Sequence, residues 1–316
     1  MDFLISQTHI DPIYLVITGF VIGIFGGFFG VGGSFLAGPA LFAVGVPMNF
    51  VVGTDLAHIV GKSIVAAKKH RALGNVDLKL GTIMVIGTIV GVEVGAQGIE
   101  SLKHLGAANV DRVIGITFVV VLISISAFVA WESWQTIKMQ RDRKREAEMS
   151  GIGVKKLEAK EDESAFDHVA RKVHRINIPP MIKLRASGVE RVSLWAILLV
   201  AFVGGIFSGF LGGGAGYIRM PSMVYLLGVP THVAVGTDLF EVVISASYGT
   251  LTHAIKGNVD IMIALVMHTG AAIGAQIGAA STEYFHGPKI RLAFVPLPLI
   301  GAAIVIYGLL SGHHVK

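Results

Sequence analysis

The sequence predicts an all-α, polytopic membrane protein of about eight transmembrane helices. It is built as two tandem, pseudo-symmetric repeats whose first helices are broken by glycine. Three observations predict this. Hydrophobic residues make up 53% of the 316-residue chain and charged residues 15%, against about 25% charged in soluble domains. Several uncharged stretches exceed the ~20 residues that a helix needs to cross a bilayer. The chain also repeats itself: Gly53-Thr54-Asp55-Leu56 recurs at Gly236-Thr237-Asp238-Leu239, a shift of 183 residues.

The same shift carries Gly45-Val46-Pro47 onto Gly228-Val229-Pro230 and Gly74-Asn75-Val76-Asp77 onto Gly257-Asn258-Val259-Asp260. It also carries His70 onto His253, and Gly26, Gly30 and Gly33 onto Gly209, Gly213 and Gly216. Internal repeats are a common plan for secondary transporters. The expected organisation is a first membrane repeat over 1–130, a charged cytoplasmic loop over 131–192 and a second repeat over 193–316.

Apolar segments fall near 13–45, 52–67, 81–99 and 110–130, then near 193–228, 234–250, 260–281 and 290–311. The first of each half is too long for one simple span and is interrupted by glycines. Such a pattern fits a broken or re-entrant helix. The start has no basic region before its apolar run, so it reads as a first span and not as a cleaved signal. With Lys and Arg counted, the expected topology is eight crossings and parallel repeats, with the middle loop and both termini cytoplasmic. If each glycine segment dips in and returns, the repeats are inverted instead. An amphipathic stretch around Ala165, Phe166, Val169, Val173 and Ile176 fits either a helix on the membrane face or a solvated linker.

The absence of cysteine excludes disulfides, thiol catalysis and thiolate metal sites. No basic stripe on a soluble fold supports nucleic-acid binding. Neither HExxH nor a nucleophile elbow is present, so neither an enzyme nor a metal site is expected. No cofactor is expected either.

The glycine breaks are the first candidates for chemistry. Broken helices expose backbone N–H groups and a positive helix end to an anion in mid-membrane. Gly30, Gly32, Gly33, Gly213, Gly214 and Gly216 are therefore expected to line the site, with Ser34 and Tyr217 as polar neighbours. Close helix packing is the bland alternative. Arg219 falls three residues after the second break, aligned with Leu36, and a guanidinium there suits a sulfonate or carboxylate. Charges within spans need reasons. Asp55, Asp238, Glu241, Glu93, Lys62, His70 and His253 are the gating or coupling candidates, weighed against ordinary capping, pairing or snorkelling roles. Thr54-Asp55 and Thr237-Asp238 read as helix starts, and Asn75 and Asn258 as turn residues. Gly87, Gly91 and Gly95, like Gly270, Gly274 and Gly278, read as packing faces.

Gly19-Phe20-Val21-Ile22-Gly23 through Leu41, followed by the GVP turn and GTDL, resembles the first repeat of the TauE/SafE family of sulfite and organosulfonate exporters. Ala201 through Met223, with its own GVP, GTDL and GNVD, resembles the second. The resemblance covers both membrane halves. It implies an inner-membrane carrier of about eight spans and substrates such as sulfite, sulfoacetate or another small organosulfonate. The long charged insert departs from the family pattern, as does Ser222 where the first repeat has Pro39.

The reading is a secondary transporter of a small anion, most simply an exporter, working by alternating access between the repeats. An anion channel, or a membrane scaffold recruiting a partner through the loop, is the alternative. The expected partners are the anion and the lipid bilayer, together with a homodimer mate and a cytoplasmic protein at 131–192.

Overall fold

The computed structural model describes residues 1–150, 170, 172–173, 178–285 and 287–311. The amphipathic stretch around 165–176 lies almost wholly outside the described residues. The protein is a polytopic all-α membrane protein. In the first half, α1 spans Pro12–Phe29, α2 Ser34–Ala43, α3 Met48–Ala72, α4 Leu78–Lys103 and α5 Ala107–Ser150. In the second, α6 spans Leu194–Leu211, α7 Gly216–Tyr225, α8 Thr231–Ile255, α9 Ile261–Ser281, α10 Gly287–Phe294 and α11 Pro296–Ser311. Two short hairpins precede α1 and α6: β1 (Asp2–Phe3) with β2 (Thr8–His9), and β3 (Met181–Leu184) with β4 (Val189–Ser193).

Among the described residues, seven helical stretches are long and apolar enough to cross a membrane. α8 is not among them although it matches α3 at 25 residues. The reason is composition: Asp238, Glu241 and several hydroxyl residues dilute its hydropathy. α2 and α7 have ten residues each, about 15 Å of helix, half the hydrocarbon thickness.

The glycines let helix backbones touch. An added Cβ at Gly19, Gly23 and Gly27 of α1 would strike Met267, Ala271 and Ala275 of α9, each within 2.4 Å of a carbonyl oxygen. Gly270, Gly274 and Gly278 meet Val16, Phe20 and Ile24 in return. Gly87, Gly91 and Gly95 of α4 meet α6 in the same way. The packing reading of both glycine triplets therefore holds, and small-residue faces of this kind suit a bilayer, where tight contact replaces hydrophobic driving force.

These contacts also fix chain direction. Residue numbers rise together along α1 and α9, and along α4 and α6, so each pair is parallel. α3 and α8 are antiparallel: Gly53 meets Asn258, whereas Gly236 meets Asn75 and His70. α8 and α4 run together, since Gly81 faces Phe240 and Gly249 faces Val92. It follows that α1 and α3 run the same way, and that α2 brings the chain back between them.

This corrects the parallel arrangement, not the expectation of about eight membrane helices. The two halves run in opposite senses, because hydropathy cannot tell a long span from a span plus a returning half-helix. It also corrects the sidedness. The β1–β2 hairpin and the end of α11 lie on one face, and the β3–β4 hairpin and the charged end of α5 on the other. The β1–β2 hairpin and the end of α11 therefore cannot share the cytoplasmic face with the charged end of α5. α5 continues unbroken to Ser150, so the start of the expected loop at 131–192 is a continuation of that helix.

The register of the duplication changes too. Equivalent contacts in the first helices are 182 residues apart, not 183. Gly27 and Gly209 meet Ala275 and Val92, and Gly30 and Gly212 meet Val235 and Val52. The pairs α1/α6 and α2/α7 have bounds offset by 182, whereas α3/α8 are offset by 183. In this register Pro39 matches Pro221, so the apparent departure at Ser222 disappears, and the mate of Arg219 is Ala37.

The two turns before α4 and α9 are braced across the halves. Thr237 Oγ1 accepts from the Asp77 N–H at 2.9 Å, and Thr54 Oγ1 from the Asp260 N–H at 2.9 Å. Each aspartate caps its own helix through Oδ1, accepting from Leu80 and Met262 N–H. Each gives Oδ2 to a hairpin: Ser187 donates its N–H and hydroxyl to Asp77 at 3.1 and 2.7 Å, and Ser6 to Asp260 at 3.1 and 2.8 Å. Thr54 and Thr237 lie two turns inside their helices, which start at Met48 and Thr231. They are braces, not the helix starts expected. Thr237→Val keeps the shape but leaves a buried N–H unpaired, so it should destabilise by about 1–3 kcal/mol. Thermal unfolding in detergent measures this.

Candidate functional site

Both glycine breaks turn through left-handed backbone. Gly30, Gly32 and Gly33 have φ of 71°, 68° and 75°, and Gly212, Gly213 and Gly214 have 81°, 68° and 71°. Ala215 is forced to 47°, where a Cβ is costly. The breaks meet: the Cβ direction of Gly32 points 3.0 Å from Gly213 O, and that of Gly216 points 2.6 Å from Val31 Cα. Gly30, Gly32, Gly33, Gly213, Gly214 and Gly216 thus come together. Ser34 opens α2 at the same junction.

Arg219 extends from α7 and is fully buried. Gly204 of α6 leaves room for its stem, since a Cβ there would sit 2.2 Å from Arg219 Cγ. Arg219 Nε donates to Asp238 Oδ1 at 2.8 Å, and Nη1 lies 2.8 Å from Glu241 Oε2. Ser245 donates to Glu241 at 3.2 Å. On α3, Lys62 Nζ lies 3.2 Å from His58 Nδ1, which lies 3.5 Å from Asp55 Oδ1. Tyr217 stands within electrostatic reach of both Asp55 and Arg219, joining the two groups.

Asp55, His58, Lys62, Tyr217, Arg219, Asp238 and Glu241 are at most 2% exposed. Several of their polar atoms find no hydrogen-bond partner among the described residues: Asp55 Oδ2, His58 Nε2, Tyr217 Oη, Arg219 Nη2, Asp238 Oδ2 and Glu241 Oε1. Ser63 Oγ, next to Lys62 in the chain, also finds no partner among the described residues. An unpaired buried polar atom costs about 1–3 kcal/mol. So many in one place mark a site whose partners arrive from outside the chain.

The other expected residues lie elsewhere. Glu93 accepts from Thr252 at 2.9 Å and Tyr248 at 3.1 Å, and pairs with Lys256 at 3.2 Å. It does not reach Arg219. His70 Nε2 donates to Gly27 O at 3.0 Å and His253 Nε2 to Gly209 O at 2.9 Å. Both tie the start of a glycine break to the end of α3 or α8 and stand outside the charged cluster. His58 was not anticipated. Its spacing of three from Asp55 and four from Lys62 places all three on one face of α3, a detectable signal. Also unanticipated is a second buried group, where Glu132 Oε2 accepts from Tyr225 Oη at 2.8 Å and lies 3.4 Å from Arg291 Nε. Arg291 Nη1 donates to Thr231 Oγ1.

A bundle of membrane helices, with two touching glycine breaks and charges sealed between them, is the architecture of a membrane transporter. Residues 15–305 match the family described as Sulfite exporter TauE/SafE, and the chain belongs to that family. It is 33% identical over 115 residues to "Probable membrane transporter protein YunE" of Bacillus subtilis (strain 168), covering 36% of this chain and 42% of that one. It is 30% identical over 111 residues to YdhB of the same organism, covering 35% and 45%. These two alignments span less than half of each relative's length. YjnA, also a probable membrane transporter protein of that organism, is 23% identical over 293 residues, covering 92% of this chain and 96% of that one. No solved structure matches.

Proposed function

We propose that this protein is a secondary transporter of a small anion, sulfite, sulfoacetate or another organosulfonate, most simply exporting it across the inner membrane. The observation that carries the reading is the sealed charged cluster at the meeting of the two glycine breaks. Arg219 offers a guanidinium whose Nη2 has no hydrogen-bond partner among the described residues, and planar guanidinium geometry matches sulfonate and carboxylate oxygens. Gly30, Gly32, Gly33, Ser34, Gly213, Gly214, Gly216 and Tyr217 would complete the substrate site. Asp55, Lys62, Asp238 and Glu241 would gate or couple. Glu93, His70 and His253 would brace the moving halves.

The opposed directions of the halves support alternating access as the mechanism. Two elements of inverted sense around one central site can open to either face by rocking. The face carrying Lys68, Lys69, Arg71, Lys79, Lys183, Arg185 and Arg191 would be cytoplasmic, against Lys103, Arg112 and Lys256 opposite. That assignment places both ends of the described chain outside. Export of an anion that carries net charge outward is favoured by a negative interior, by about 2.3 kcal/mol per charge per 100 mV.

The test is flux in proteoliposomes across sulfite, sulfoacetate, taurine, sulfate, acetate and thiosulfate. Saturable flux of one small sulfur anion is expected. No flux of any anion under any gradient would sink the transporter reading. It would favour a scaffold acting through the charged end of α5 and the segment after it, with a homodimer or a cytoplasmic protein as its partner.

A further inference from the structure

The central cluster holds three carboxylates, Asp55, Asp238 and Glu241, against two basic side chains, Lys62 and Arg219. With all of these ionised, it has no spare positive charge for an anion. The two cations are also already engaged, Lys62 by His58 and Arg219 by Asp238 and Glu241. An anion entering alone would add a further negative charge to a group that is sealed from water, which low-dielectric surroundings oppose strongly. Resting on the transporter reading above, we infer that Glu241 is the exchangeable ligand of Arg219: the anion displaces it from the guanidinium, and Glu241 takes up one proton as it leaves.

The two carboxylates on Arg219 are held differently. Asp238 accepts a hydrogen bond from Nε at 2.8 Å. Glu241 Oε2 sits 2.8 Å from Nη1, yet Nη1 makes no aligned hydrogen bond and Nη2 has no partner. Glu241 thus occupies the guanidinium's open edge without the geometry of a committed pair, and no aligned hydrogen bond from a described residue reaches Oε1. The hydroxyls of Ser245 and Thr88 face the Glu241 carboxylate. Each can accept a hydrogen bond from a protonated acid, so the neutral form would not be orphaned.

The charged and titratable groups around Glu241 are accounted for, element by element. α8 itself contributes Asp238, and α7 contributes Arg219 and Tyr217. α3 contributes Asp55, His58 and Lys62 through Tyr217. α9 contributes His268, which faces His58 and Lys62. α4 contributes only the Thr88 hydroxyl. Arg291 of α10 is turned to Glu132 and Thr231, at the other end of α8's first turns.

The step balances simply. The anion takes the place of Glu241 beside Arg219. One O–H bond forms on Glu241 with a proton from the water on the entry side. The total charge of the cluster is unchanged for a monoanion. Release returns both anion and proton to the far side.

The experiment is proton uptake by the purified protein at pH 7.5 in weak buffer with a pH-indicator dye. The titrants are sulfoacetate and 2-hydroxyethanesulfonate, neither of which buffers near that pH. Affinity is followed by calorimetry from pH 6.5 to 8.5. The wild type should take up about one proton per anion bound, and its affinity should fall by up to about tenfold per pH unit. Glu241→Gln should bind with no proton uptake and with affinity level across the range. Binding by the wild type without proton uptake overturns this inference and leaves the transporter reading standing. Proton uptake that survives in Glu241→Gln but vanishes in Asp55→Asn overturns the assignment to Glu241. Failure of every anion in the proteoliposome panel to be carried overturns both.

Discussion

Arg219→Gln should abolish anion flux and destabilise the protein by about 3–5 kcal/mol. The guanidinium is the counter-charge for Asp238 and Glu241, all three wholly buried. Glutamine can satisfy hydrogen bonds to one carboxylate but cancels neither charge. The cost is that of leaving buried charge uncompensated, which exceeds the net worth of the original pair. Arg219→Lys separates function from folding. It keeps the charge and should recover most of the stability, but one ammonium cannot hold Asp238 through Nε while presenting a planar edge to an anion. Its flux should therefore fall by about tenfold or more. Proteoliposome flux per reconstituted protein and thermal unfolding in detergent are the two measurements. Arg219→Gln with wild-type flux would remove Arg219 from the site.

Arg219 was legible in the sequence because a charge in an apolar segment needs a reason. Its partners were legible as candidates only. Asp238 and Glu241 bond with it, whereas Glu93, equally conspicuous as an intramembrane acid, bonds with Lys256 and two hydroxyls. Residue type marks a group as expensive to bury, but only tertiary placement says what it meets. Segment positions were legible for the same reason: apolar length and glycine breaks are local properties. Chain direction was not. A segment of about thirty apolar residues can cross once at a tilt or cross and turn back, and hydropathy is identical in the two cases. The one-residue change of register between 182 and 183 was hidden because glycines recur so densely before the break that either shift aligns several of them. Contacts to α4 and α9, not glycine identity, decide between them.

Gly216→Ala should cut flux by about tenfold or more and destabilise by about 1–3 kcal/mol. The position is informative because its backbone is ordinary: φ is −57° and ψ −27°, helical values that alanine prefers. On propensity alone the change would stabilise the first turn of α7. The penalty must therefore come from space. The added Cβ would sit 2.5 Å from Asp238 Oδ2 and 2.6 Å from Val31 Cα. Val31 is backbone of the opposite break and cannot yield without moving α1 against α2. Asp238 can yield only by loosening its 2.8 Å bond to Arg219. Either adjustment disturbs the junction where the halves meet the charged cluster. Gly45→Ala is the matched control. Its φ is 91°, but nothing lies within 4 Å of the added Cβ, so it carries backbone strain of about 1–2 kcal/mol without crowding the site. If flux tracks stability alone, the two variants should lose it in similar proportion. If the meeting of the two breaks is what binds and moves the anion, Gly216→Ala should lose far more flux than Gly45→Ala at equal stability. Equal losses would argue that the junction is only a packing contact.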